Sequence, residues 1–201
     1  ISVKHNGKEL CEFGKMTQEG AIAFSDNLNS VQNSQFLRYA LEYSSMYNIP
    51  IINYARDIGI SSEGVVNEGP VSTKLGLTGI PDICESIIVF RDLMIAQNIK
   101  GKIHIPLIST KQSINIIKEF QKQGVNVTAE VTPHHIALNE NTVSNYNTNA
   151  KVYPPLRSEE NRKEIIKAIK NKVVSCICSD HFPHSSEDKE KDIKHAPFGT
   201  I

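Results

Sequence analysis

The chain has 201 residues, sets 22 Lys and Arg against 22 Asp and Glu, and is 39% hydrophobic. A formal charge of zero with no basic cluster argues against nucleic acid as the main partner. No apolar run approaches a membrane span, and that length supports one sizeable core or part of a larger fold. No signal-peptide pattern opens the chain. The four cysteines (Cys11, Cys84, Cys176, Cys178) show no framework spacing, so a reducing, cytoplasmic setting is expected.

In chain order, GAIAFSD (Gly20 to Asp26) reads as a short apolar strand ending in an acid. VQNSQFLRYALEYSSMYN then carries apolar residues at helical spacing, and IPIINYARD reads as the next strand. PDICESIIVFRDLMIAQNI is helical from a Pro-Asp start. KIHIPLIST is a strand, followed by the helix KQSINIIKEFQKQG, stopped by Gly124. VNVTAEVTPHH is a strand, and the Asn-rich stretch NENTVSNYNTNA reads as a loop. SEENRKEIIKAIKNK is a helix with a Ser158-x-x-Asn161 start. VVSCICSDHFPH closes the series as a strand apolar on both faces, expected to be covered by helices on both sides. Cys176 and Cys178 lie two apart on it, and core packing is expected for both rather than metal ligation.

Alternating strands and helices signal βα units around a parallel sheet. No G-x-G-x-x-G or P-loop follows any strand, which removes the usual nucleotide-binding reason for a doubly wound sheet. Instead the strand ends carry Asp26, Asn53, Leu107 with Ser109, His134 with His135, and Asp180. Acids and histidines at strand ends suit a (β/α)8 barrel whose mouth holds metal. Such a barrel calls for about three strands beyond the five read here. The whole chain, 1–201, is therefore expected to be the later part of one barrel, without an internal domain boundary.

The stretches FSDNLNSVQ, NEGPVSTKLGLTGIPDICE, NVTAEVTPHHIAL, KVYPPLRSEENRKEIIKAI, SDHFPHSSEDKE and APFG, in this order, resemble the dihydroorotases of the bacterial type within the amidohydrolase superfamily. The resemblance implies a (β/α)8 barrel that interconverts N-carbamoyl-aspartate and dihydroorotate in pyrimidine synthesis, with zinc as cofactor. It places Asp26 at the carboxylate that bridges two zinc ions, and Asp180 at the metal-ligating general base of the last strand. His184 matches a substrate-contacting histidine, and Phe198 with Gly199 match backbone that holds the pyrimidine ring. His134 and His135 are assigned a supporting role beneath the site. The family's first-strand His-x-His ligands and substrate arginine have no counterpart in this chain.

The departures from that pattern carry the functional expectation. Asn53 and Leu107 are read at two positions where the family has histidine ligands of one metal, and Tyr153 stands at its substrate-binding asparagine. Leucine cannot ligate, and an amide oxygen is a donor zinc rarely selects. One zinc position is thus expected to be empty, leaving at most one zinc per chain, on the Asp180 side. Three readings follow. One is a dihydroorotase-like protein with weak or lost catalysis that serves aspartate transcarbamoylase structurally. The others are an active single-zinc dihydroorotase and a related cyclic amidohydrolase with another substrate. A homo-oligomer is compatible with each. The segment SSEDKEKDIKHAPFG is expected to be a mobile loop, with Phe198 as its first apolar anchor.

Overall fold

Short β-branched runs alternate with amphipathic stretches, and in the computed structural model, which describes residues 1–200, they form a parallel sheet backed by helices. The strands are β1 (Phe24–Ser25), β2 (Ile51–Ile52), β3 (Val66–Asn67), β4 (Gly79–Ile80), β5 (Ile103–Ile105), β6 (Val127–Val131) and β7 (Cys176–Ile177). Five of them make one sheet in the order β1-β2-β5-β6-β7, every pair parallel. Register runs Phe24 to Ile51, Ile51 to Ile103, Ile103 to Val127, and Glu130 to Cys176. All carboxyl ends therefore lie along one edge. The remaining strands, β3 and β4, pair with each other. Their motif sits inside a stretch for which no strand is expected from sequence.

The connecting helices are α1 (Phe13–Gln18), α2 (Ser34–Ser45), α3 (Ile58–Ser61), α4 (Pro70–Leu75), α5 (Ile83–Ile99), α6 (Lys111–Lys122), α7 (Pro133–Ala137), α8 (Glu159–Lys170) and α9 (Ser186–Lys189). Their starts follow local chemistry. Asn33, Thr110 and Ser158 each accept a hydrogen bond from a backbone amide of the first turn. Gly124, at φ 83°, ends the turn after α6 as expected. The Asn-rich stretch read as a loop is two 3₁₀ segments, Glu140–Tyr146 and Thr148–Ala150. Asn139 and Asn147 supply the reason, since each side chain accepts from the amide two residues on and so nucleates a turn.

The core lies between the sheet and one helical layer. Leu37 and Leu41 of α2, Val89 and Leu93 of α5, and Ile117 of α6 meet Ile51, Ile103, Ile105, Ala129 and Val131 of the strands. Each buried Val, Leu or Ile among them contributes about 1.5–3 kcal/mol. The other sheet face behaves differently. Ser25, Ile52, His104 and Glu130 are half-buried there, and Thr128 and Cys176 are exposed. In a closed barrel that face is the interior. The expectation that the last strand is covered on both sides is corrected: only Val173 and Val174 reach the core, and both residues of β7 are exposed at the sheet edge. Cys176 and Cys178, expected in the core, are exposed and half-buried respectively.

Candidate active site at the strand ends

A cavity of about 190 Å³ opens where the chain leaves β2 and β7. Its aromatic wall is Tyr54, Tyr153, Phe182 and Phe198, and its charged groups are Arg56 and Asp180. The rings are mutually fixed: Tyr153 lies 5.9 Å from Tyr54 and 5.5 Å, edge to face, from Phe198. The Arg56 guanidinium sits 4.2 Å over the Tyr153 ring, and its Nε donates to Ser61 Oγ at 3.0 Å. Burial, then the neighbouring Cys84 thiol, raises the Tyr153 phenol above its ordinary pKa, so it stays a neutral donor. An asparagine at this position would leave most of that volume open.

Phe198 and Gly199 are held by a strap that closes one side. The Gly199 amide donates to the Lys151 carbonyl at 2.9 Å, and His184 Nε2 lies 2.9 Å from the Phe198 carbonyl. Gly199 is at φ 137°, and a Cβ there would come within 2.4 Å of the Phe182 carbonyl oxygen, so only glycine fits. Lys151, 3% exposed, donates from Nζ to the carbonyls of Ile193 and Ala196 at 2.7 and 2.6 Å. The same ammonium lies 4.6 Å over the Phe198 ring. The acidic segment before it is a short exposed helix, α9, and its first apolar anchor is Ile193, not Phe198. Ile193 is reached first because its carbonyl accepts from the buried Lys151 and its side chain joins the apolar cluster of Val66, Leu77, Val152 and Leu156.

Asp180, at φ 47° and half-buried, projects into this cavity from the end of β7. Burial, reinforced by the charge of Glu130, raises its carboxyl to about 6. A carboxylate poised there can exchange a proton near neutral pH, as a general base must. Beside it stands His134, whose Nε2 is 3.9 Å from Asp180 Oδ2, too far for a hydrogen bond. That Nε2 is buried and has no hydrogen-bond partner, the only such side-chain atom among the described residues. Burial lowers His134 to about 4, so the pair is a neutral ring facing a carboxyl, not an ion pair. His135 is different. It lies between Thr132 Oγ1 and the Pro154 carbonyl, at 2.7 and 3.1 Å, and supports the Tyr153 turn from below.

The other sequence-derived residues do not join this cavity. Asp26 is buried at the end of β1, where it receives the Ser2 amide at 2.6 Å and the Ser2 hydroxyl. Leu107 is 4% exposed, at φ 52°, in a turn clamped by Glu85. Both oxygens of that buried carboxylate accept from Ser109 and Thr110 amides and hydroxyls. Asn53, expected at the mouth, is corrected. Its amide is 1% exposed and turned away: Oδ1 accepts from the Val31 amide at 2.9 Å, and Nδ2 donates to Asp92 at 2.6 Å. The side chain presented to the cavity from this strand is Tyr54, the next residue, because neighbours on an extended segment point to opposite sides.

Sequence reasoning missed Tyr54, Arg56, Lys151 and Arg157. Arg157 is 2% exposed and donates to Ser109 Oγ, Asn67 Oδ1 and the Ile80 carbonyl, tying the β3–β4 pair to the turn after β5. A buried arginine in PPLR carries no periodic signal, but Tyr54 and Arg56 stand in the strand-end segment NYARD already singled out.

Parallel βα units with titratable side chains gathered at the carboxyl edge define a partial (β/α)8 barrel of the amidohydrolase type. Solved structures share this fold. L-Hydantoinase (dihydropyrimidinase) from Arthrobacter aurescens superposes with a TM-score of 0.79 at 20% identity, over 94% of this chain and 45% of that one. D-Hydantoinase from Bacillus sp. AR9 gives 0.78 at 17% identity, over 92% and 44%. Residues 1–113 match the family described as dihydro-orotase-like. The curated dihydroorotase of Caldicellulosiruptor saccharolyticus is 45% identical over 195 residues, covering 97% of this chain and 45% of that protein. That of Ehrlichia canis is 43% identical over 201 residues, covering 100% and 45%. The chain belongs to the dihydroorotase-like family, and it spans about half the length of the curated relatives it matches.

Proposed function

We propose that the chain is part of a dihydroorotase-like protein of pyrimidine biosynthesis whose catalysis is weak or lost. The observation that carries this reading is the composition of the cavity beside Asp180. Zinc takes three or four ligands, and here the cavity offers one carboxylate with one imidazole 3.9 Å away. Tyr54 presents a phenol to it, Leu107 is an alkyl group buried in a turn outside it, and both Asp26 oxygens accept from Ser2. The donor set of this chain does not hold a two-zinc centre. Tyr153, with Arg56 stacked on it, takes up room that a pyrimidine ring needs. His184, Phe198 and Gly199 would still frame a small substrate such as dihydroorotate or N-carbamoyl-aspartate.

A structural role with aspartate transcarbamoylase fits the surface of α5. Ile83, Ile87, Phe90 and Met94 recur at helical spacing and are each 43–50% exposed. A helix apolar on its outer face as well as its inner one is suited to burial against a partner or a second copy. One observation favours the alternative of a single-zinc enzyme: the unpartnered Nε2 of His134, directed at Asp180, is available to a cation or water held jointly with that carboxylate. Elemental analysis of the protein at its natural length, with dihydroorotase assays in both directions, separates the two. Negligible turnover is expected, with no zinc content that Asp180→Asn removes. One firmly held zinc that Asp180→Asn removes, with ordinary enzymatic turnover, would select the alternative.

A further inference from the structure

We propose that His104, Glu130 and Cys176 form a binding site for a divalent cation of zinc type, on the sheet face turned away from the helices and deeper along the strands than Asp180. The three residues come from adjacent strands β5, β6 and β7, so the backbone of a hydrogen-bonded sheet fixes their spacing. Glu130 is directly in register with Cys176, and His104 with Thr128. One donor atom from each lies within 4.8 Å of the others. His104 Nε2 is 3.3 Å from Glu130 Oε2, and Cys176 Sγ is 3.8 Å from the same oxygen. A tetrahedral ion with bonds of about 2.0 Å to nitrogen and oxygen and about 2.3 Å to sulfur separates its ligands by about 3.3 and 3.5 Å. The two pairs that share Glu130 need movements of at most a few tenths of an ångström, and the His104 and Cys176 donors, within 4.8 Å, need at most about 1.3 Å.

Orientation supports the assignment. His104 Nδ1 is 2.8 Å from Thr128 Oγ1, so the ring is anchored through one nitrogen and turns the other to the cluster. Metal-bound histidines are commonly held in this way by their second nitrogen. The imidazole and carboxylate are only 15% and 18% exposed, so the two groups are partly stripped of water and preorganised. Imidazole, carboxylate and thiolate together favour zinc over the hard cations magnesium and calcium, which take oxygen ligands. Three protein donors leave a fourth position for water or another group.

The test titrates cobalt(II), then zinc(II), into the metal-stripped protein at its natural length. Cobalt should give a near-ultraviolet thiolate-to-metal charge-transfer band that saturates at one equivalent and disappears when zinc displaces it. Cys176→Ser should abolish the band, and His104→Gln should weaken cobalt affinity at least about 100-fold, beyond the cost of altering a mere supporting partner. Asp180→Asn should retain the band, which separates this site from any metal at the strand-end cavity. Circular dichroism of the metal-free variants checks that each is folded; if Cys176→Ser is not, His104→Gln carries the test. Absence of the band in the unmodified protein, or its survival in folded Cys176→Ser, would leave the three residues as a hydrogen-bonded cluster and end the proposal.

Discussion

Asn53→Ala provides a sharp test of how the end of β2 is built. The wild-type amide joins two buried groups, accepting from the Val31 N–H at 2.9 Å and donating to Asp92 at 2.6 Å. Alanine leaves a buried amide without an acceptor, costing about 1–3 kcal/mol, and removes a hydrogen bond to a charged group, worth about 1.5–3 kcal/mol. At pH 8 the expected loss is about 3–5 kcal/mol, a large share of the roughly 5–15 kcal/mol that holds a domain together. The pH dependence sharpens the test. Burial raises Asp92 from 3.8 to about 6, against the opposing pull of Arg91 and Asn53. Because the folded value is the higher one, this group's stability is fully present below about pH 4 and is lost as pH rises through about 6. Without Asn53 the folded value climbs further, so the loss deepens and extends toward neutral pH. At pH 5 Asp92 is largely protonated and the bond removed is a neutral one, so the mutational cost should shrink to about 2–3 kcal/mol. Urea unfolding of both proteins at pH 5 and pH 8 measures it. A cost below about 1 kcal/mol at pH 8, or an equal cost at both, would refute the reasoning.

The remaining expectations use other parts of the same framework. Tyr54→His should raise the zinc content of the natural-length protein by one equivalent in elemental analysis, because residue 54 lines the Asp180 cavity. Asn53→His with Leu107→His should not, because residue 53 faces Asp92 and not the cavity. Arg157→Met removes donors to Ser109, Asn67 and Ile80 and strips Asp82 of its 3.0 Å partner; a loss of about 3–5 kcal/mol is expected in denaturant titrations. Lys151→Met should free the strap that carries Phe198, read out as proteolysis between residues 185 and 197 at least about tenfold faster than in the wild type, since local opening there loses several buried hydrogen bonds.

The order of the five sheet strands and the four long helices between them was legible because it depends on local periodicity and caps: LRYALEYS cannot bury its apolar stripe except as a helix, and Ser158 marks a helix start by its own side chain. The family was legible because long motifs survive in order, and with it the placing of Tyr153, Asp180, Phe198 and Gly199 around one cavity. Which of two neighbouring residues faces that cavity was not. Asn53 and Tyr54 differ by one position, and a one-residue uncertainty in where a two-residue strand ends reverses every side chain after it. The buried ties of Lys151 and Arg157 were equally hidden, since a basic residue in a polar segment reads as solvated until the chain folds carbonyls around it. His104, Glu130 and Cys176 are separated in sequence by 26 and 46 residues. Only the register of three parallel strands brings them within reach of one ion, because spacing along a chain fixes local turns while spacing across a sheet is decided by pairing.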